Sequence, residues 1–285
     1  MRTIDLPHGR VQYRTAGPDD PSTPPVVFVH AFLVDGSVWS PVAELLAARG
    51  FRSFAPNWPL GAHRIPMHRD ADQSPRGVAG QVLGFLEALD LHDVTLVGSD
   101  TGGALAQYAL DADRSRIGRV VFLNCDAFDT FPPFPFNLIF PLLRGDMRMR
   151  MNLLPMRSRA FRHSPLGFGL LANQLGAEQT RSWIEPCLTD PEIRADAVRF
   201  LKGIDPHELH EVSARMRDVD VPVRVVWGMA DRAFKPALGK RLAAAFPAAE
   251  FIEVPGARTF VQLDEPALVA DQIAAASHAG PDKTD

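Results

Sequence analysis

Residues 94–104 read VTLVGSDTGGA, an apolar run that leads directly into a glycine-rich turn. The turn at 98–102, GSDTG, follows the G-x-S-x-G pattern of a sharp strand-to-helix turn, with aspartate where serine usually lies. The flanking glycines permit close backbone approach and a positive φ only around the middle position. The pattern therefore indicates Asp100, rather than Ser99 or Thr101, as the candidate nucleophile. An ordinary glycine-rich turn is the alternative.

Aspartate at this position changes the expected chemistry. A carboxylate attacks a saturated carbon that bears a leaving group and forms an ester, whereas a serine alkoxide attacks an acyl carbon. The turn thus favours an enzyme that forms an ester on Asp100.

Short β-rich runs alternate with helical patterns on both sides of this turn. Such alternation predicts a parallel sheet covered by helices on both faces, an α/β fold. The predicted strands are Arg10–Thr15, Val26–His30, Phe51–Ala55, Val94–Gly98, Ile117–Leu123, Val223–Trp227 and Glu250–Val254. The predicted helices lie near Val38–Ala48, Arg76–Leu89, Gly102–Asp111, Pro236–Phe246 and Pro266–Ala276.

The alternation stops over residues 127–215, where FDTFPPFPFNLIFPLL is followed by helical stretches. A segment that long, apolar but without β alternation, is predicted to be a helical lid rather than a loop, with its apolar face roofing the cleft above Asp100. The predicted core is therefore split into residues 1–126 and 216–278. Residues 279–285 are predicted to be a disordered tail.

Composition favours one extended core and excludes a general nucleic-acid binder. The chain has 285 residues, of which 46% are hydrophobic, and a net charge of -4. One local stretch is basic, and it is interpreted as the solvated face of a lid helix, with a membrane or anionic partner as the alternative. Its arginines are Arg144, Arg148, Arg150, Arg157, Arg159 and Arg162.

Cys125 and Cys187 have neither metal-ligand spacing nor a disulfide framework, which favours a reducing compartment. The N-terminus lacks the apolar run of a signal peptide, and no segment is long enough to span a bilayer. We therefore expect a cytoplasmic protein with no metal and no cofactor. Its expected partner is a small-molecule substrate rather than nucleic acid or a membrane, and its expected state is a monomer or a homodimer.

Three further segments complete a family pattern: VVFVHAFLVDGSVW at 26–39, VVWGMADRAF at 225–234 and GARTFVQLDEP at 256–266. Together with the turn, they resemble the α/β-hydrolase superfamily, and specifically its aspartate-nucleophile branch of haloalkane dehalogenases, fluoroacetate dehalogenases and epoxide hydrolases. The resemblance implies a mostly parallel eight-stranded sheet with helices on both faces and an inserted helical lid.

The resemblance also implies roles for residues around Asp100. The backbone N–H groups of Phe32 and Thr101 become the candidate oxyanion donors. Asp231 becomes the supporting acid, with a helix N-cap as its alternative role, and Asp126 at the end of the sixth strand is a second candidate for the acid. The candidate substrate-binding residues are His30, Trp39, Phe128 and Phe260.

The chain departs from the family at Thr259, which occupies the position of the catalytic histidine. In the dehalogenase scheme, histidine activates the water that hydrolyses the alkyl ester, and a threonine hydroxyl cannot take that proton near neutral pH. We expect Asp231 to hydrogen-bond instead to the Thr259 hydroxyl or to a water that fills the imidazole volume. The expected site has Asp100 at the base of an apolar cavity with Thr259 opposite.

Other family features are missing too. Dehalogenases of this branch commonly carry halide-binding tryptophan or asparagine where this chain has Thr101 and Phe32, and epoxide hydrolases present lid tyrosines, whereas Tyr13 and Tyr108 both lie outside the lid. Three functions therefore stay open: an enzyme with an Asp100 nucleophile acting on a small apolar substrate, a lyase or lactonase using Asp100 as acid or base, and a non-catalytic binder.

Overall fold

The computed structural model describes residues 1–278 of the chain. The predicted tail at 279–285 lies outside the described residues. The strands are β1 (Arg2–Leu6), β2 (Gly9–Ala16), β3 (Val26–Val29), β4 (Ser53–Pro56), β5 (Val94–Asp100), β6 (Ile117–Cys125), β7 (Val223–Gly228) and β8 (Ala249–Val254).

These strands form one sheet in the order β1-β2-β4-β3-β5-β6-β7-β8. The β1–β2 and β2–β4 pairs are antiparallel, and every pair from β4 to β8 is parallel. The prediction of a mostly parallel eight-stranded sheet is therefore confirmed. The strand list from the sequence lacked β1, which forms a hairpin with β2 at the edge of the sheet.

Helices cover both faces of the sheet. Helices α2 and α3 pack together on one face, and α1 and α12 pack together on the other. The α-helices are α1 (Ser40–Ala47), α2 (Pro75–Ala88), α3 (Thr101–Ala112), α4 (Phe136–Ile139), α5 (Asp146–Leu153), α6 (Arg159–Arg162), α7 (Ala177–Thr189), α8 (Pro191–Lys202), α9 (Pro206–Arg215), α10 (Pro236–Ala244), α11 (Val261–Asp264) and α12 (Pro266–His278).

Strand order explains where a site can form. Strand β5 lies between β3 and β6, and its residues from Val94 to Ser99 are buried. Parallel strands end at a common edge, so the residues that follow β3, β5, β6 and β7 meet there. This edge brings together Phe32, Asp100, Asp126 and Asp231.

The chain between β6 and β7 is helical, with α4 to α9 and short 3₁₀ turns at Phe140–Leu143, Leu154–Arg157 and Phe168–Leu170. This inserted segment covers the edge of the sheet at which Asp100 lies. Its division from the core at residues 127 and 215 stays a prediction. Within residues 1–278, no helix has the length and apolar character needed to cross a membrane.

Candidate active site

The turn after β5 forces Asp100 into a conformation that side chains rarely adopt. Its φ is 56°, which lies in the left-handed region, whereas Gly98 and Gly102 do not have positive φ. A Cβ on Gly98 would lie 2.6 Å from the Gly102 carbonyl oxygen, and a Cβ on Gly102 would lie 2.1 Å from the Val29 carbonyl oxygen. The glycines are thus needed for close backbone approach, and only Asp100 itself carries the strained φ.

One oxygen of the Asp100 carboxylate is held by Thr101. Its Oδ1 accepts hydrogen bonds from the Thr101 backbone N–H at 2.6 Å and from the Thr101 hydroxyl at 3.0 Å. Helix α3 begins at Thr101, so the carboxylate lies at a helix N-terminus, which favours negative charge. Burial nevertheless raises the pKa of Asp100 to about 6, and the charge of Asp231 adds to that rise. At neutral pH, Asp100 is mostly ionised.

Asp100 faces a cavity of about 270 Å³ with mainly apolar walls. The polar side chains in the wall are those of Asp100, Thr101, Asp126 and Asn152. The other lining residues are Phe32, Leu33, Pro132, Pro133, Phe136, Ile139, Phe140, Leu142, Leu143, Leu153, Met156, Phe161, Leu166, Gly167, Phe168 and Leu171. Such a cavity fits a small, largely apolar molecule.

Asp126 is a second carboxyl group in the same wall. Only 1% of the residue is exposed, and among the described residues its Oδ1 has no hydrogen-bond partner. The Gln107 side chain fixes its backbone by donating to the Asp126 carbonyl oxygen at 2.9 Å. Burial and the charge of Asp100 raise the pKa of Asp126 well above its usual range. Of the two carboxyl groups in the cavity wall, Asp126 is therefore the one that burial and the neighbouring charge favour in its protonated form.

Asp231, in contrast, has a complete set of partners. The Thr259 hydroxyl donates to its Oδ2 at 2.9 Å, which confirms the hydrogen bond expected from the sequence, and the Asn124 side-chain amide donates to the same oxygen at 2.8 Å. Oδ1 accepts from the backbone N–H groups of Ala233 at 2.8 Å and Phe234 at 3.2 Å. Burial still raises the pKa of Asp231 from its usual value, although these bonds oppose the rise.

The alternative role of Asp231 as a helix N-cap is wrong. Helix α10 begins at Pro236 and its N-cap is Lys235, so Asp231 caps no helix. Its bonds to two backbone N–H groups instead stabilise the loop between β7 and α10. Thr259 is fully buried behind this loop and is not part of the cavity wall.

The candidate oxyanion donors differ in their surroundings. The Thr101 N–H already binds Asp100, as described above. Phe32 lines the cavity, and no backbone or side-chain acceptor within residues 1–278 occupies its N–H. One amide thus holds the carboxylate, and the other stays available at the cavity wall.

His30 organises the loop that carries Phe32. Its Nε2 accepts the Trp58 backbone N–H at 2.8 Å, so Nδ1 carries the proton and donates to the Ala31 carbonyl oxygen at 2.9 Å. Burial lowers the pKa of His30 to about 4, so the ring is neutral at neutral pH. His30 does not line the cavity, and its role in substrate binding stays a prediction.

The other three candidate substrate-binding residues also lie outside the cavity wall. Trp39 stacks on Phe28 at 4.7 Å between ring centroids. Phe260 packs edge-on against Trp183, and Phe128 lies under the Arg241 guanidinium. Each ring is buried in packing elsewhere, and the aromatic residues of the wall instead come mainly from the inserted segment. The signal for them was the crowding of phenylalanine and proline at 131–140.

No described histidine lines the cavity. The buried His63 pairs with Asp196 at 3.1 Å, and His163 contacts the Thr180 hydroxyl at 2.9 Å. Within residues 1–278, no three His, Cys, Asp or Glu side chains are grouped so as to hold a metal ion. The acids of the cavity wall are therefore the titratable groups that a substrate meets first.

Comparison with known families identifies the fold. A model described as the alpha/beta hydrolase family matches residues 26–272. A protein of Mycoplasma pneumoniae, whose name places it among esterases and lipases, is 30% identical over 124 residues, which are 43% of this chain and 43% of that protein. A 2-hydroxy-6-oxononadienedioate/2-hydroxy-6-oxononatrienedioate hydrolase of Paraburkholderia xenovorans is 26% identical over 79% of this chain and 76% of that protein.

Solved structures show the same architecture. A haloalkane dehalogenase from Bradyrhizobium elkani superposes with a TM-score of 0.78, covering 98% of this chain and 99% of that chain at 18% identity. An epoxide hydrolase superposes with a TM-score of 0.75, covering 96% of each chain at 20% identity. At these identities, the likeness is one of fold.

Proposed function

The chain belongs to the alpha/beta hydrolase family, and on that premise we propose that it is an enzyme whose Asp100 carboxylate attacks an electrophilic carbon of a small apolar molecule. One observation carries this proposal. Asp100 lies at a strained turn with one oxygen held by Thr101, and it faces an apolar cavity. A carboxylate held in this way is oriented for attack and is poorly solvated.

The first step forms an ester on Asp100. A carboxylate oxygen forms a bond to the substrate carbon, the bond from that carbon to the leaving group breaks, and the negative charge moves to the leaving atom. The hydrogen bonds from Thr101 keep the carboxylate in place during the attack. The apolar walls limit the solvation of the nucleophile by water.

Asp126 gives the leaving atom its proton. We propose that it is protonated before the reaction, because it is buried in the same wall, the pKa of its carboxyl group is raised, and its Oδ1 has no partner in the described part of the chain. An oxygen leaving group needs this proton, as in the opening of an epoxide ring, whereas a halide leaves without one. We therefore favour epoxides as substrates over haloalkanes, with a carboxylic acid in the role that lid tyrosines have in epoxide hydrolases.

The same residue then supplies the base that Thr259 cannot. After giving up its proton, Asp126 is a carboxylate with a raised pKa, which suits it to take a proton from water. The resulting hydroxide attacks the ester carbonyl carbon, and the oxyanion is stabilised by the N–H groups of Thr101 and Phe32. Collapse of this intermediate breaks the bond from the Asp100 carbonyl carbon to the substrate oxygen, and the proton of the resulting Asp100 carboxylic acid passes to that oxygen. A diol is released, with Asp100 again a carboxylate and Asp126 again a carboxylic acid.

This cycle predicts different fates for two probes. Styrene oxide leaves Asp126 ionised and is turned over many times. A 1-bromoalkane leaves Asp126 protonated, so the alkyl ester on Asp100 has no base to hydrolyse it and accumulates. Intact-mass spectrometry after incubation with each probe, together with assay of the diol, measures both outcomes.

Three variants test the assignment. Asp100→Asn is expected to abolish both the bromoalkane adduct and the diol. Asp126→Asn is expected to keep the adduct and lose diol formation by a factor of about 10² to 10⁴. Asp129→Asn, which removes an exposed aspartate three residues away, is the control and should resemble the unmodified protein. Absence of any adduct from the unmodified protein with the bromoalkane contradicts the nucleophile.

A second candidate function rests on the split between the two carboxyl groups. With Asp100 ionised and Asp126 neutral, the pair can take a proton from one substrate atom and give one to another, as a lyase or lactonase requires. This function predicts turnover without any covalent adduct. A chain that binds the probes with neither adduct nor turnover is a non-catalytic binder.

A further inference from the structure

Exposed apolar side chains of the described residues are concentrated in one part of the inserted segment. Of the eight large hydrophobic residues that are exposed, seven lie between residues 134 and 166. These seven are Phe134, Leu138, Leu142, Met147, Met151, Leu154 and Leu166. We call this region the 134–166 surface. Such a concentration in one segment is typical of a surface that contacts another molecule.

Five of these residues recur at intervals of four along the chain and form two stripes. In the first stripe, Phe134 precedes α4, Leu138 lies in α4 and Leu142 lies in the 3₁₀ turn that follows it. Met147 and Met151 lie one turn apart on the outer side of α5, opposite the buried Met149. The Asn152 side chain bonds the Leu142 carbonyl oxygen at 3.5 Å, which joins the two stripes.

The same surface carries unpaired positive charge. Arg144, Arg148, Arg150, Arg157 and Arg159 are exposed, and none lies within 4 Å of an acidic group of residues 1–278. The only acid between 134 and 166 is Asp146, which pairs with Arg194 at 2.6 Å. The net charge of the whole chain is -4, so the basic character is local.

The 134–166 surface also adjoins the cavity that contains Asp100. Leu142 and Leu166 are 54% and 64% exposed, and both line the cavity that contains Asp100. An apolar molecule dissolved in a contacting phase could therefore pass from that phase into the cavity without crossing water. This position links the surface to the supply of substrate.

We infer that the 134–166 surface docks on an anionic lipid bilayer, with its leucines and methionines inserted among the lipids and its arginines on the headgroups. Flexible apolar side chains next to arginines suit the boundary of a bilayer, because the apolar groups can lie among the acyl chains while the arginines contact the headgroups. A second copy of this chain fits less well, because a two-fold contact through this surface would bring like charges together. The expectation of no membrane partner is revised accordingly.

The test measures vesicle binding and does not depend on catalysis. The full chain is floated with phosphatidylcholine vesicles and with vesicles of phosphatidylcholine and phosphatidylglycerol in equal parts. We expect binding only to the anionic vesicles, with weakening at high salt. Absence of binding to the anionic vesicles overturns the inference and leaves the proposed enzyme activity untouched.

Matched pairs of variants distinguish the contribution of the arginine charges to vesicle binding from that of the inserted methionines. Arg148→Gln with Arg150→Gln should weaken binding on the order of twentyfold, about fivefold for each charge. Arg69→Gln with Arg217→Gln changes the net charge equally at exposed positions elsewhere and should have no such effect. Met147→Ser with Met151→Ser should remove the part of binding that survives high salt. None of these residues lines the cavity, and circular dichroism checks that each variant is folded.

Two further outcomes contradict the inference. Equal losses in the two arginine pairs would mean that binding follows net charge alone. A concentration-dependent dimer that Met147→Ser with Met151→Ser abolishes, without vesicle binding, would assign the surface to a second copy of the chain. Analytical ultracentrifugation of the same variants measures that dimer.

Discussion

Replacing Asp100 by asparagine should stabilise the protein at neutral pH and leave its stability unchanged in acid. Burial raises the pKa of Asp100 from 3.8 to about 6, so the folded chain holds a proton that the unfolded chain has already lost. Ionising this group in the folded state therefore costs free energy. Asparagine keeps the size of the side chain and an oxygen that can accept the hydrogen bonds from Thr101.

The magnitude follows from the pKa shift. Between pH 3.8 and about 6, the unfolded state binds fewer protons than the folded state, so stability falls by about 1.4 kcal/mol for each pH unit. The fall is complete above about pH 6 and reaches about 3 kcal/mol. Because the Asp100 carboxylate faces a cavity that water can enter, we expect a gain of about 2 kcal/mol from Asp100→Asn at neutral pH. Below the unfolded pKa, both states are protonated and the gain disappears.

Urea unfolding of the unmodified protein and of Asp100→Asn at about pH 3 and about pH 8 measures this difference. Asp129→Asn is the control, because a backbone hydrogen bond and the Arg241 side chain lower the pKa of that exposed carboxyl group. Neutralising Asp129 should therefore give no gain at about pH 8. The reasoning is refuted if Asp100→Asn has the same effect at both pH values or destabilises the protein at the higher one.

Three further predictions concern the same site. Thr259→His should supply a base that hydrolyses the trapped bromoalkane ester and should accelerate loss of the adduct by about 10² to 10⁴, as measured by intact-mass time courses. The larger ring should lower the free energy of unfolding by about 1–3 kcal/mol, as measured by urea unfolding. Thr259→Val removes a hydrogen-bond donor to the buried Asp231 and should lower the free energy of unfolding by about 1–3 kcal/mol. The loss should be larger at high pH than at low pH, because removal of the donor raises the pKa of Asp231 further. An unchanged free energy of unfolding contradicts the role of this hydrogen bond. The rate of adduct formation with a 1-bromoalkane should rise with pH through about 6 and level off above it, since only ionised Asp100 attacks; a flat profile from about pH 4 to about pH 8 contradicts the assignment.

Most of the sheet could be predicted because its strands are buried on both faces. Strands such as β5 and β6 are almost wholly buried and contain apolar runs that are recognisable without any partner. Strand β1 is exposed along most of its length, so its sequence shows no apolar pattern. It is stabilised by pairing with β2, which a local pattern does not reveal. Strand β6 extends to Cys125, two residues beyond the prediction, because Cys125 pairs with Asp100 at the end of β5.

The candidate site divides in the same way. The position of Asp100 and the hydrogen bond between Thr259 and Asp231 could be predicted from local motifs. The turn at 98–102 and the segment at 256–266 are each formed by consecutive residues. The cavity wall could not be predicted residue by residue, because it depends on how the inserted segment packs over the sheet. For that reason Trp39 and Phe260 were assigned to substrate binding although their rings pack elsewhere.

Asp231 and Asp126 differ in how completely their carboxyl groups are hydrogen-bonded. Asp231 accepts four hydrogen bonds, two of them from Thr259 and Asn124, which hold it as a structural carboxylate. Asp126 has no such set, and its buried Oδ1 is without a partner in the described residues. A buried group with an unmet hydrogen bond is costly to keep unless something else binds it. Asp126 is therefore the carboxyl group whose role we expect to be completed by the substrate.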